Sequence, residues 1–143
     1  MSPDLRHRNL ALLLLQARES VMAEFRPLLN EHGLTEQQWR VIRALLQNGP
    51  LEPRQLCELC QIVSPSLTGV LARMERDGLI RRARDPADQR RTVVEATAKG
   101  MRMVRELSRS IEAHYAWMEK SLGKQKLSQL YVLLDEVIEL EQP

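Results

Sequence analysis

The pattern of apolar and polar positions along the chain predicts mostly helices, and the first of them is long. Residues 5–32 are good helix formers, with Pro27 expected to bend or locally break the helix and His32-Gly33 expected to end it. The segment LALLLL at residues 10–15 is apolar around the whole helix circumference. A surface helix is apolar on one side only, so we expect this segment to be buried on several sides.

The C-terminal part of the chain predicts two more long helices. Thr97 is a candidate cap for a helix that ends near Leu122, Gly123 breaks it, and residues 124–140 again carry apolar residues at helical spacing. With residues 5–32, these helices have more apolar surface than one small domain of 143 residues needs. A symmetric homodimer would cover that excess.

Two shorter helices follow the first long one. Thr35 and Gln38 have the spacing of a capping box, and Pro53 is well placed as the first residue of a short helix. The residues predicted to face inward on the first of these helices are Trp39, Ile42, Leu45 and Leu46, and the second runs through Leu56, Leu59 and Cys60.

The next helix has a strong start signal and a regular apolar stripe. Ser64 is the candidate cap, Pro65 the first helical residue, and Asp77-Gly78 the end. Its inward residues, at spacings i, i+3, i+4 and i+7, are Leu67, Val70, Leu71 and Met74. Only residues 61–63 separate it from the preceding helix, so the two predict a helix-turn-helix.

A β-hairpin is predicted directly after this helix. Residues 79–84 and 92–96 are the only strand-like stretches, and the loop between them is longer than a tight turn. The expected fold is therefore mainly α with a small β-hairpin.

Positive charge is concentrated in one part of the chain, although the net charge is only +2. Residues 73–91 hold seven arginines against four carboxylates, whereas the remainder is nearly balanced. Arginine binds phosphates and guanine through paired donors. This distribution indicates a local nucleic-acid surface.

The face of residues 64–77 opposite the apolar stripe supports that interpretation. It is small near its start and cationic near its end, whereas an ordinary solvated face would carry Glu, Lys and Gln. Glycine in mid-helix destabilises a helix by about 1 kcal/mol relative to alanine. A close approach of the helix backbone to DNA would explain why Gly69 is nevertheless found there. In the hairpin loop, Asp88 is placed to brace Arg90 for a minor groove. Alone, that loop would pass for an ordinary surface ion pair. The predicted DNA-binding residues are Ser64, Pro65, Ser66, Thr68, Gly69, Arg73, Arg76, Arg84, Asp88, Arg90 and Arg91.

Catalytic and metal-binding patterns are missing from the sequence. The three histidines fall in separate segments, and no glycine-rich phosphate loop or nucleophile–base pairing occurs, so no enzyme and no cofactor are expected. Cys57 and Cys60 form a lone CxxC, which lacks the four ligands of a zinc site. Two reduced thiols are the favoured interpretation, and redox sensing is the alternative.

Membrane and secretory signals are missing as well. The longest apolar run is far shorter than the roughly 20 residues that a membrane span needs. No cleavage-site pattern follows it, so we expect a cytoplasmic protein.

Residues 64–100 resemble the winged helix-turn-helix core of the MarR family of bacterial transcriptional regulators. The matching features are the capped recognition helix, the exit ERDGLI at residues 75–80, the wing motif Asp85-Pro86-x-Asp88-x-Arg90, and Thr97-x-x-Gly100. This resemblance implies a winged helix-turn-helix DNA-binding lobe at residues 35–97. It also implies a helical dimerisation region formed by residues 1–34 and 98–143.

A narrower similarity concerns the stretches LLQARES, HGLTEQQWRVIRALLQNG and SPSLTGVLARMERDG with DQRR. They resemble the homoprotocatechuate (4-hydroxyphenylacetate) degradation operon repressor subgroup of that family. The resemblance implies a repressor of an aromatic-catabolism operon, released by a small aromatic acid of the phenylacetate or catechol type.

Ligands of this family lodge between the dimerisation helices and the DNA-binding lobe. An aromatic acid needs a cation for its carboxylate and apolar walls, and Arg18 is the first candidate for the cation. The predicted ligand-binding residues are Arg18, Met22, Phe25, Trp39, Arg40, Arg43, His114 and Tyr115. The alternative is that the aromatic side chains belong to the core and the arginines to the surface.

The predicted mechanism is that of a homodimer on double-stranded DNA. Its two recognition helices would enter successive major grooves of a palindromic operator, about 34 Å apart. Two alternatives remain open from the sequence: a redox-responsive regulator that uses Cys57 and Cys60, and a winged-helix module for protein–protein contact.

Overall fold

The computed structural model describes residues 3–141 and 143, and the described chain is mainly α with one antiparallel hairpin, as predicted. Its helices are α1 (Leu10–Glu31), α2 (Glu36–Asn48), α3 (Pro53–Cys60), α4 (Ser64–Arg76), α5 (Ala98–Leu122) and α6 (Lys124–Ile138), and its strands are β1 (Ile80–Arg84) and β2 (Thr92–Ala96). Met1, Ser2 and Gln142, which the predicted dimerisation region includes, lie outside the described residues.

The chain forms two compact units, and the boundary between them lies within α5. The first contains the described residues up to Leu107, and the second contains those from Ser108 onward. Fully buried side chains of the first unit include Leu29, Leu34, Val41, Ile42, Leu56, Leu71, Met74, Val94 and Leu107. This unit therefore has its own core, which α1 to α4, the hairpin and the start of α5 all supply.

Helix α1 differs from its prediction in three ways. It begins at Leu10 rather than at residue 5, because the side chain of Asn9 accepts the Leu12 N–H at 3.0 Å and caps the helix. Pro27 lies inside an unbroken helix, so the predicted local break is wrong. In residues 10–15 only Leu13 is half-buried and the others are exposed, so burial on several sides does not occur within the single chain.

The starts of α2 and α3 follow the predicted capping chemistry. Thr35 accepts the Gln38 N–H at 3.2 Å, and its own N–H donates to the Gln38 side chain at 3.1 Å. Pro53 begins α3. Leu46 is exposed, so its predicted inward position is wrong. It follows the buried Leu45 and points about 100° away from it around the helix.

Helix α4 begins one residue earlier than predicted. Val63 is the cap residue and Ser64 is already helical, so the prediction of Ser64 as the cap is wrong. The predicted stripe is confirmed, because all four of its members are buried: Leu67, Val70, Leu71 and Met74.

One residue outside the two strands also pairs with the hairpin, which the sequence pattern did not indicate. Residues Ile80 and Ala96 are partners at one end of the ladder, and Arg84 and Thr92 at the other. Leu51 then pairs with Val94 through two backbone hydrogen bonds of 3.0 and 2.7 Å. This bridge fixes the base of the hairpin to the connection between α2 and α3.

The start of α5 explains the Thr97-x-x-Gly100 pattern. Thr97 Oγ1 accepts the Gly100 N–H at 3.1 Å and donates to the carbonyl of Gly78 at 2.6 Å, which confirms the predicted cap. A Cβ at Gly100 would overlap the carbonyl oxygen of Leu79 and would lie 3.0 Å from Ile42. Close packing of α5 on this turn therefore requires glycine.

In the second unit, α6 has no buried residue. Its large apolar side chains are exposed in the single chain, among them Leu130, Tyr131, Val132, Leu133, Val137 and Ile138. Such an apolar helix surface is typical of an interface with another chain.

Candidate DNA-binding surface and ligand site

The outer face of α4 is available to a partner in the described structure. Ser64, Pro65, Ser66, Thr68, Arg73 and Arg76 are exposed, and Gly69 is half-exposed. A Cβ at Gly69 would meet nothing within 4 Å, so packing inside this chain does not require glycine there. Only an approaching surface would benefit from the missing side chain.

The two arginines of this face lie at the C-terminal end of α4, where the helix dipole favours cations. Arg76 lies 3.7 Å from Asp77 but remains largely exposed, so the pair is weak. Thr68 donates to the Ser64 carbonyl at 3.1 Å, which leaves its oxygen free to accept.

The hairpin loop holds Arg90 as predicted. Asp88 accepts both the backbone N–H and the Nε–H of Arg90 at 3.1 Å, and Nη2 lies 3.4 Å from the second carboxylate oxygen. These hydrogen bonds from the Arg90 side chain and backbone lower the pKa of Asp88. The Arg90 side chain is nevertheless 90% exposed. The brace therefore holds a cation out from the tip of the wing.

Arg84 and Arg91 have contacts inside the protein. Arg84 donates to the Gln89 carbonyl at 2.9 Å, which closes the loop. Arg91 lies 3.4 Å from Glu52, the residue that precedes α3, and 3.8 Å from Asp88. Both arginines thus help to position the wing.

Two further arginines of the basic cluster are also paired. Arg81 forms an ion pair with Glu95 across the hairpin, and Arg82 lies 3.3 Å from Glu75 of α4. The count of arginines along the sequence therefore overstates the free positive charge. Arg73, Arg76 and Arg90 are all exposed and hold the accessible part of the charge, although Arg90 also pairs with Asp88.

The predicted ligand residues of the first unit lie on α1 and α2. Phe25 is buried, and Met22, Trp39, Arg40 and Arg43 are half-buried. Arg18 is exposed and forms an ion pair with Glu36, and its Nη1 lies 3.4 Å from Glu19. Arg18, the side chain predicted to bind the carboxylate of a ligand, is thus already paired with carboxylates of this chain.

Glu36 is the residue of this cluster that sequence reasoning missed. It is only 18% exposed, and it lies 3.6 Å from Arg26 as well as against Arg18. As the first residue of α2 it could be explained by the helix dipole alone, so no sequence pattern indicated its contact with α1.

Arg40 contacts the end of the neighbouring helix. Its Nη1 donates to the carbonyl of Cys60 at 2.6 Å, and the Cys60 thiol donates back to the Arg40 carbonyl at 3.4 Å. Burial, and after it the charge of Arg18, lower the pKa of the Arg40 guanidinium. Arg40 and Arg18 are therefore electrostatic neighbours.

His114 and Tyr115 lie on the part of α5 that belongs to the second unit, and both are half-buried. The ring of His114 stacks on Trp117 with centroids 5.3 Å apart and planes 29° apart. Their predicted role in a ligand site stays a prediction.

Both cysteines are free thiols. Burial raises the pKa of Cys60, which keeps it neutral and poorly nucleophilic near neutral pH. Cys57 lines a cavity of about 570 Å³ between α3, α4 and β1, together with Arg54, Ser64 and Arg82. The sequence did not predict this cavity.

The described residues offer neither a metal site nor a membrane-spanning helix. Residues 3–141 and 143 contain no cluster of three or more His, Cys, Asp or Glu side chains suited to a metal ion. No described helix combines the length and apolarity that crossing a bilayer requires.

Comparison with known proteins agrees with this geometry. A model of the MarR family matches residues 32–91. The homoprotocatechuate degradative operon repressor of Escherichia coli is 41% identical over 134 residues, which cover 94% of this chain and 90% of that protein. The chain belongs to the MarR family. The resemblances inferred from the sequence are thereby confirmed, and the protein is a transcriptional regulator rather than an enzyme.

Solved structures support the same assignment for this MarR-family chain. A crystal structure of a transcriptional regulator, 49% identical, has a TM-score of 0.88 and covers 95% of this chain and 100% of its own. The structure of NadR in complex with 4-hydroxyphenylacetate is 39% identical, has a TM-score of 0.86, and covers 99% and 100% of the two chains. The winged helix-turn-helix fold is therefore confirmed.

Proposed function

We propose that this MarR-family protein is a homodimeric, cytoplasmic repressor that binds a palindromic operator and is released by a small aromatic acid. The observation that carries the DNA-binding part is the exposed face of α4, small at its start and cationic at its end, beside the braced Arg90. A helix with such a face can enter a major groove while the wing arginine reaches a minor groove.

The acid is supported by the cluster around Arg18. Arg18 already binds the Glu36 carboxylate, so the site is chemically suited to a carboxylate. The half-buried Met22 and Trp39 supply apolar surface on the same two helices, beside the buried Phe25. NadR, which is similar over nearly the whole chain, was solved with 4-hydroxyphenylacetate, and this supports a phenylacetate-type acid as the effector.

The dimer is supported by the apolar surface that the single chain leaves exposed on α1 and, separately, on α6. A second copy would remove that surface from water. Two copies related by a twofold axis would also match the symmetry of a palindromic operator.

A gel-shift assay with the DNA upstream of the protein's own gene tests the proposal. We expect a discrete complex that resists non-specific competitor DNA and is lost when 4-hydroxyphenylacetate or a related acid is added. A panel of phenolic and phenylacetic acids then defines the effector class. A complex that no acid of the panel affects would contradict the effector, and failure to bind any upstream fragment would contradict the operator.

A further inference from the structure

Arg40 connects α2 to the end of the helix that precedes the recognition helix. Its Nη1 donates to the Cys60 carbonyl at 2.6 Å and lies 3.5 Å from the Gln61 carbonyl. A cation at the C-terminal end of a helix satisfies free carbonyls and interacts favourably with the helix dipole. Arg40 thus acts as a side-chain cap for α3.

The turn that Arg40 caps is conformationally demanding. Gln61 has φ 53° and ψ 50°, and it is the one non-glycine residue with positive φ among the described residues. Only Ile62 and Val63 separate it from α4. Since L-residues disfavour this conformation, contacts that stabilise it also fix where α4 begins.

The Nε–H on the other side of the Arg40 guanidinium lacks a hydrogen-bond acceptor among the described residues. This Nε atom is buried. Glu36, which pairs with Arg18, lies one helical turn before Arg40 on the same side of α2. Together with burial, the larger cause, the charge of Arg18 accordingly contributes to the lowered pKa of the Arg40 guanidinium. A buried donor without a partner is costly, so an acceptor that reached this place would be bound strongly.

We propose that Arg40 is a positioning residue that transmits the binding of an acid at Arg18 to the turn before the recognition helix. The inference rests on the proposed function, since it assumes a carboxylate at Arg18. Without the acid, Arg40 holds the carbonyls of Cys60 and Gln61. With the acid, its unsatisfied Nε side turns toward the carboxylate, and the cap on α3 weakens.

Replacing the carbonyls of Cys60 and Gln61 by the carboxylate of the acid is favourable for Arg40, because a carboxylate is a stronger hydrogen-bond acceptor than a neutral carbonyl. It also supplies what an allosteric effector requires, namely an interaction that differs between the DNA-binding form and the released form. By linkage, operator DNA must weaken acid binding by the same factor.

A double-mutant cycle tests the role of Arg40 without any ligand. Operator dissociation constants are measured by fluorescence anisotropy for the wild type, Arg18→Met, Arg40→Met and the double variant, with Arg102→Met as a matched control on an exposed part of α5. We expect Arg40→Met to weaken operator binding about fivefold. Arg18→Met leaves the Glu36 carboxylate, one turn from Arg40, free to attract that guanidinium as the acid would. It should therefore change the affinity at least about twofold when Arg40 is present and not at all in the Arg40→Met background.

Equal effects of Arg18→Met in the two backgrounds, or no effect in either, would overturn the proposal. A purely structural role for Arg40 gives the first of these results. Circular dichroism checks folding, and Arg40→Lys, which keeps the charge but loses the forked donors, replaces Arg40→Met in the cycle if that variant does not fold.

The same proteins are then titrated in the presence of 4-hydroxyphenylacetate. We expect the acid to weaken operator binding of the wild type at least about fivefold and to lose most of that effect in Arg40→Met. A wild-type response that Arg40→Met fully retains would overturn the role of Arg40. If the wild type does not respond while the ligand-free cycle shows coupling, the proposed effector fails and the role of Arg40 stands.

Discussion

On the proposed DNA-binding surface, some substitutions should change DNA binding without destabilising the fold, and Gly69 offers the clearest case. Gly69→Ala introduces a Cβ that meets nothing within the chain. We therefore expect the free energy of unfolding to rise by up to about 1 kcal/mol, because alanine favours helices. Operator affinity should fall about tenfold, because the added methyl group keeps the α4 backbone from the DNA. Urea unfolding and anisotropy titrations measure the two effects, and a variant that binds DNA as well as the wild type would remove Gly69 from the interface.

Arg90 carries the corresponding prediction for the wing. Arg90→Ala should weaken operator binding about tenfold and reduce the slope of log K against log salt by about 0.9, the contribution of one phosphate-type contact. The dimer should remain intact, because the Arg90 side chain is 90% exposed. Arg102→Ala on α5 is the control. Salt-dependent titrations in which Arg90→Ala and Arg102→Ala behave alike would exclude Arg90 from the binding surface.

At the scale of elements, local signals were predictable from the sequence and distant contacts were not. The Thr35 cap and the Asp88 brace each join residues two or three positions apart, so their spacing was enough to predict them. The Leu51 bridge to β2 and the Glu36 pair with Arg18 join distant segments. Neither residue belongs to a pattern of its own, so only the folded chain reveals these contacts.

The two arginines of the candidate ligand site illustrate the same limit. The sequence placed Arg18 and Arg40 on helices of suitable composition, but it could not tell which atoms each side chain already used. In the folded chain Arg18 holds Glu36, and Arg40 holds the end of α3. The role of Arg40 as a cap depends on the packing of α3 against α2, which is a tertiary property.

The packing of α3 also predicts a pH dependence of stability. Burial raises the pKa of Cys60 above that of a thiol in the unfolded chain. The associated stability is fully present below the unfolded pKa of about 8.5 and is lost as the pH rises through the folded pKa. We therefore expect the free energy of unfolding to fall more steeply above pH 8.5 in the wild type than in Cys60→Ala. Urea unfolding under reducing conditions from pH 7 to 10 measures both slopes, and parallel curves would contradict the assignment.

At the scale of the whole molecule, the proposed homodimer would cover the apolar side chains of α6 that the single chain leaves exposed. Leu133→Glu places a charge where Leu133 is 57% exposed in the single chain. Since a symmetric interface contains every substitution twice, the dimer dissociation constant should rise at least about 100-fold. Sedimentation velocity over a range of concentrations measures it. Lys124→Glu, on the opposite side of α6, is the control and should stay dimeric, and a dimeric Leu133→Glu would contradict an interface at this position.

The proposed release from the operator by an acid depends on the DNA-binding residues, on helix packing and on the dimer together. It can be tested in a single binding experiment. Anisotropy titrations of the wild-type protein against its own operator and a scrambled duplex, at one fixed salt concentration, are compared with and without saturating 4-hydroxyphenylacetate. We expect operator binding to be at least about 1,000-fold tighter than binding to the scrambled duplex, and the acid to weaken it at least about fivefold. Equal affinity for the two duplexes, or operator affinity that the acid leaves unchanged, would contradict it.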